Sequence, residues 1–278
     1  MAQNLKKTKN LLWTLFYLLI FLVFIKLIGN LSGVKWEDQY PLFNLIFLAL
    51  PIILMVTHAI HTLGLGKGIF FMSLASITGT FFEYIGLKYG TFFGGHYVYK
   101  NQLTVFDVPV SVIFFWAVFI YTGYCLTNSF LLWLKQDKPG VEKKNFWLLP
   151  FLILLDGYFV VAIDFFMDPI SVKSGSWIWL DGGLYFGVPW GNFLGWFVVT
   201  VIVSSIFRTY EYFFTKRKKM IDKPLFIIPV LGYGILSVSF LFSALRFDLP
   251  SLAVIGSIFM MPQVIINLLL FKKSKNII

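Results

Sequence analysis

Apolar runs of bilayer length recur along the chain, and charges, glycines and prolines concentrate in the short segments between them. A hydrocarbon core about 30 Å thick takes roughly 20 helical residues to cross. Eight runs approach or exceed that length: residues 11–30, 41–60, 68–87, 109–134, 146–164, 187–212, 225–245 and 250–271. The pattern predicts an all-α fold, a polytopic membrane helix bundle of about eight transmembrane helices forming a single integral-membrane domain over 1–278. The first run follows Lys6, Lys7 and Lys9 as a signal sequence would, but it has full bilayer length and no small-x-small cleavage site, and it reads as a retained helix.

Composition agrees with the pattern: 58% of residues are hydrophobic, 20% aromatic and only 13% charged. The charges then set an orientation, because cytoplasmic loops collect Lys and Arg. With eight helices, one side gathers the Lys6–Lys9 tail, Lys67, the Lys135/Lys138/Lys143/Lys144 loop, the Arg208/Lys216–Lys219/Lys223 loop and the Lys272/Lys273/Lys275 tail. The other side has Lys35, Lys88, Lys100, Lys173 and Arg246. Both termini are therefore expected in the cytoplasm, in a multi-pass protein of the cell membrane. The formal net charge of +10 follows from this topology and from anionic headgroups of membrane lipids, and calls for no nucleic acid. The single Cys125 excludes an internal disulfide framework.

An internal order shows on the expected outer face. Phe106-Asp107-Val108-Pro109 and Phe186-Gly187-Val188-Pro189 each precede a helix, and Trp116 and Trp196 follow their prolines at the same offset. Lys88-x-Gly90 then Tyr97-x-Tyr99 parallels Lys173-x-Gly175 then Trp177-x-Trp179, each after a helix expected to end in an acid, Glu83 or Asp164. Helices three and four, and five and six, read as two related hairpins in parallel orientation. Pro at a first helical position costs no hydrogen bond, and Asp107 and Asp248 read as caps there.

Acids inside the runs carry the chemical signal. Glu83 falls in the outer half of the bilayer, Asp164 near its outer edge, and Asp168 four residues on, on the same helix face if the helix continues that far. Asn192, just inside helix six, reaches the same level. An ionisable group in a membrane helix costs a few kcal/mol or more, roughly, so it either serves a function or tethers another helix. Asp156, near the midplane, reads chiefly as a tether. The segment Tyr89–Tyr99 has glycines and alternating aromatics suited to a short turn-and-strand structure across the bundle mouth, with His96 able to exchange a proton there. It lacks the Lys-Ser/Thr of a phosphate loop. No metal site is expected: His58-x-x-His61 lies at the opposite end from His96, so the three histidines cannot build a di-iron centre. No nucleophile elbow or dinucleotide fingerprint is present either, and no cofactor is expected.

Several motifs together resemble the membrane-integral carotenoid biosynthesis proteins whose characterised members are carotenoid 1′,2′-hydratases, including the bisanhydrobacterioruberin hydratases. They are Glu83-Tyr84-Ile85-Gly86 with Tyr89-Gly90, Phe93-Gly94-x-x-Tyr97-x-Tyr99, Val108-Pro109 with Trp116, Asp164-x-x-x-Asp168-Pro169, Trp177-x-Trp179, and Tyr185-Phe186-Gly187-Val188-Pro189-x-x-Asn192-Phe193-Leu194-Gly195-Trp196. This family-like core covers about residues 70–200. Asp107 stands where Gly is expected before Val-Pro, and His96 sits inside an aromatic motif; neither departure removes a carboxylate.

The resemblance implies addition of water to the terminal trisubstituted alkene of a linear carotenoid, giving a tertiary alcohol. No carbonyl polarises that alkene, so the route is protonation to a tertiary cation and capture of water. That requires an acid kept neutral by burial and a second polar group to hold the water. Chemistry then suggests Glu83 as donor and Asp164 with Asn192 orienting water, with Asp168 able to exchange roles with Asp164. Tyr97, Trp179 and Trp196 would line the cationic end at about 0.5–2 kcal/mol each, and Tyr84, His96, Tyr99 and Trp116 would complete the substrate surface. The substrate would enter laterally from the bilayer, with other enzymes of the pathway as partners. Two alternatives use the same residues: an isoprenoid-end cyclase or isomerase that excludes water, and a membrane transporter or lipid-binding protein.

Overall fold

The computed structural model describes residues 2–34, 36–100, 103–135, 146–214 and 223–275. Eight membrane-length helices are found: α1 (Ala2–Leu31), α2 (Pro41–Leu63), α3 (Leu65–Tyr89), α4 (Val110–Lys135), α5 (Leu148–Ser174), α6 (Trp190–Phe214), α7 (Ile227–Arg246) and α8 (Pro250–Lys275). Each is long and apolar enough to cross a bilayer, where a helix satisfies its own backbone hydrogen bonds. The Lys138/Lys143/Lys144 and Lys216–Lys219 segments lie outside the described residues.

Helix α4 is the hub. It packs on α2, α3, α5, α6, α7 and α8, and 67% of its apolar stretch is buried, against 22% for α1. Helices α3 and α4 form one hairpin and α5 and α6 the next, with α3 also resting on α6. The connections at one end of these hairpins carry four short strands: β1 (Tyr97–Tyr99), β2 (Thr104–Val105), β3 (Val108–Pro109) and β4 (Trp177–Trp179). β1 and β4 pair antiparallel, and β2 and β3 form a hairpin.

At the end that carries the strands, two expected boundaries move by three residues or more. α5 does not stop at residue 164 but runs through Pro169 to Ser174, where Gly175 adopts φ 77° and its N–H reaches Ser171 and Val172 oxygens. Leaving the helix inside hydrocarbon would expose more backbone groups than the single bond Pro169 removes, and glycine is the residue that ends a helix in this left-handed way. α6 begins at Trp190, not 187, because Phe186 and Gly187 both have positive φ in a turn closed by Tyr185 and Val188.

Phe106 and Asp107 repeat that conformation at φ 53° and 63°, between β2 and β3. Asp107 is therefore the second residue of a two-residue hairpin turn rather than a cap on α4. Asp is among the few non-glycine residues that tolerate this region, which accounts for its standing where Gly is expected.

Candidate active site

Side chains on strands alternate in direction, so Tyr97 and Tyr99 share one face of β1, and Trp177 and Trp179 one face of β4. The register sets Tyr97 opposite Trp179 and Tyr99 opposite Trp177. The loop ahead of β1 is pressed close to α6: a Cβ on Gly94 would lie 2.9 Å from the Gly191 backbone, and one on Gly191 2.7 Å from Gly94. Only glycine permits that approach.

Beneath the strands, Glu83, Asp164, Asp168 and Asn192 are buried, at 3%, 0%, 4% and 4% exposure. Glu83, from α3, accepts Tyr97 Oη at 2.7 Å and Tyr99 Oη at 3.0 Å on Oε2, and Trp116 Nε1 at 3.2 Å on Oε1. One turn of α5 supplies both aspartates. Asn192 Nδ2 donates to Asp164 Oδ2 at 2.7 Å and to Asp168 Oδ2 at 3.1 Å, and Trp179 Nε1 donates to Asp168 Oδ2 at 3.3 Å. The three carboxyls lie near enough to one another for their charges to interact.

Aromatic rings close the cluster. Trp116 and Trp196 stack with centroids 4.0 Å apart, and Tyr97 and Trp179 lie 4.6 Å apart. Burial first, and then the negative field of Glu83, hold the Tyr97 and Tyr99 hydroxyls well above their ordinary pKa, so both remain donors.

Nine of the residues singled out in the sequence meet here: Glu83, Asp164, Asp168, Asn192, Tyr97, Tyr99, Trp116, Trp179 and Trp196. Two do not. Tyr84 is partly exposed beside Lys88, whose Nζ lies 3.5 Å from its hydroxyl. His96 is on the outer side of the strand pair, its backbone N–H donating to Asp181 Oδ2 at 2.8 Å and its Nδ1 3.3 Å away. Those two hydrogen bonds hold the exposed Asp181 carboxyl below its usual range. Among the described residues, no group of three or more His, Cys, Asp and Glu could hold a metal ion.

A family model for carotenoid biosynthesis proteins matches residues 43–262, from early in α2 to within α8, enclosing the entire cluster. The chain belongs to the carotenoid biosynthesis protein family. It is thus a multi-pass membrane protein with a role in carotenoid biosynthesis. None of the curated proteins and none of the solved structures matches it.

A second polar network lies two helical turns from the site along α5, about 12 Å from Asp164. Asp156 receives Arg208 Nε on Oδ2 and an Arg208 terminal nitrogen on Oδ1, at 2.6 and 2.7 Å, and Arg208 also reaches Asn128 at 3.2 Å. Tyr124 donates to Glu211 at 2.7 Å. Asp156 thus tethers α5 to α6. Arg208 is correspondingly not a loop charge but a buried residue of α6. The signal available for it was Arg208-x-x-Glu211, opposite charges one turn apart within an apolar run.

Proposed function

We propose that this protein is a carotenoid hydratase, a hydro-lyase of the cell membrane that adds water across the terminal alkene of a linear carotenoid to give a tertiary alcohol. The observation that carries the reading is the chemistry of the buried cluster: three carboxyls whose hydrogen-bond partners among the described residues are all neutral phenols, indoles and an amide, set against stacked aromatic rings.

Protonating a trisubstituted alkene places a positive charge on its tertiary carbon. A carboxylate and the faces of Trp116, Trp196 and Trp179 can stabilise that charge without forming a bond to it. Hydrogen-bonding oxygens of the aspartates beside Asn192 can hold the water that attacks it. Such a site also needs an acid able to transfer a proton to carbon, typically contributing about 10²–10⁴-fold. Burial among apolar helices suits a substrate dissolved in the bilayer.

Coexpression with a lycopene-producing pathway, followed by mass analysis of the pigments, tests the function. The expected product has gained one water per hydrated end. An isobaric pigment would replace hydration by cyclisation or isomerisation, and unchanged pigment beside stably inserted protein would remove enzyme action on this polyene.

A further inference from the structure

The three carboxyls are not equivalent. Counted from the glycine that ends each helix, Glu83 and Asp168 hold the same place, seven residues before Gly90 and seven before Gly175. Each accepts a hydrogen bond from the last aromatic of the following strand, Tyr99 for Glu83 and Trp179 for Asp168. The hairpins differ one turn earlier, where α3 has Gly79 and α5 has Asp164. They differ again three residues after the proline, where one has Val112 and the other Asn192. The space beside Gly79 is filled by the Trp116 ring, whereas Asp164 takes the Asn192 amide. Asp164 and Asn192 are what the second hairpin has and the first lacks.

The hydrogen bonds divide the carboxyls in the same way. Glu83 has donors on both oxygens, three in all, and Asp168 Oδ2 accepts two. Asp164 accepts one, on Oδ2. Its Oδ1 is buried and, among the described residues, has no partner. Three negative charges in one buried cluster, with no cation bonded to any of them among the described residues, would repel strongly, and one proton within the cluster would relieve that repulsion. The carboxyl with the fewest donors is the one that gains least as an anion.

We propose, resting on the hydratase reading, that Asp164 is the catalytic acid, with Oδ1 as the atom that meets the substrate, and that Glu83 is the fixed anion facing the cation. The Asp164 O–H bond breaks as a C–H bond forms at the less substituted alkene carbon, consuming the π pair and leaving the tertiary carbon cationic. A water lone pair then forms the C–O bond, and the proton released by that oxygen returns to the Asp164 carboxylate. One water is added and the protein is restored.

Full-length protein in membranes, incubated with lycopene in D₂O, separates proton transfer from water capture. Wild type should give an alcohol with one carbon-bound deuterium per hydrated end. Asp164→Asn should give neither alcohol nor deuterated lycopene, a loss of at least about 100-fold. Glu83→Gln should be slower yet still place deuterium on carbon. Deuterium entering recovered lycopene in Asp164→Asn without alcohol would show that the cation still forms and Asp164 serves only the water, overturning the proposal. Folded Glu83→Gln with no exchange at all would overturn it too, and that variant decides should Asp164→Asn not insert. Wild type that exchanges without making alcohol would remove hydration, while loss of exchange in Asp164→Asn would still sustain Asp164 as the acid. Wild type that does neither would remove both.

Discussion

Gly79→Ala adds a single methyl group one turn before Glu83 and tests whether the Trp116 position matters. A Cβ at residue 79 would stand 2.2 Å from Trp116 Cγ and 2.6 Å from its Cδ1 and Cδ2. Those are rigid ring atoms of a side chain with no exposed surface. Reaching ordinary contact, from 3.4 Å outward, moves the ring by more than an ångström. Trp196, stacked at 4.0 Å, opposes such a shift. The Trp116 bond to Glu83, already 3.2 Å, would then be lost. Overpacking costs about 1–3 kcal/mol, and a hydrogen bond to a charged group about 1.5–3 kcal/mol. The ordinary helix preference for Ala over Gly, about 1 kcal/mol, works in the opposite direction. The expected net effect is therefore a lower melting temperature in detergent. Turnover on a linear carotenoid should fall by around 10²-fold, the scale associated with ångström misplacement in an active site. A Gly79→Ala protein that melts at or above the wild-type temperature and turns over normally would refute this account of the site.

Other perturbations have equally definite outcomes. Tyr97→Phe with Tyr99→Phe removes both phenol donors from Glu83 and should lower turnover more than either single change, by about tenfold or more, as read from initial rates on equal amounts of inserted protein. Arg208→Met leaves Asp156 buried without its partner and should cost about 3–5 kcal/mol; Asp156→Leu with Arg208→Met should recover much of that loss, both measured by thermal unfolding in detergent. His96→Ala removes an exposed ring that rests on Gly90 and contacts Asp181 through Nδ1, away from the three carboxyls, and should leave turnover within about twofold of wild type; a larger fall would place His96 in the chemistry.

The apolar runs made all eight helices legible, because only helices or closed barrels satisfy backbone groups in lipid. The sequence does not show that α5 passes Asp164, because Pro169 ordinarily ends a helix, while Gly175, the residue that does end it, looks like any loop glycine. The acids Glu83, Asp164 and Asp168 stood out by their cost in hydrocarbon, and Asn192 by its level. Their partners were harder to read. Tyr99 and Trp177 lie opposite each other only because two whole helices intervene and return the chain to the same end, and no local pattern encodes that pairing. Arg208 looks like a loop charge for the same reason: Asp156, its buried partner, is 52 positions away. The likeness of Phe106-Asp107-Val108-Pro109 to Phe186-Gly187-Val188-Pro189 does have a shared physical form, since both place two left-handed residues before Val-Pro.

In the proposed reaction, water supplies the product oxygen after protonation of an alkene. Incubating membranes that contain the full-length chain with lycopene in ¹⁸O-labelled water, and analysing the pigments by mass, tests it most directly. One ¹⁸O atom in each new tertiary alcohol is the predicted result. An oxygen drawn from O₂, or a changed pigment with no added oxygen, would contradict it.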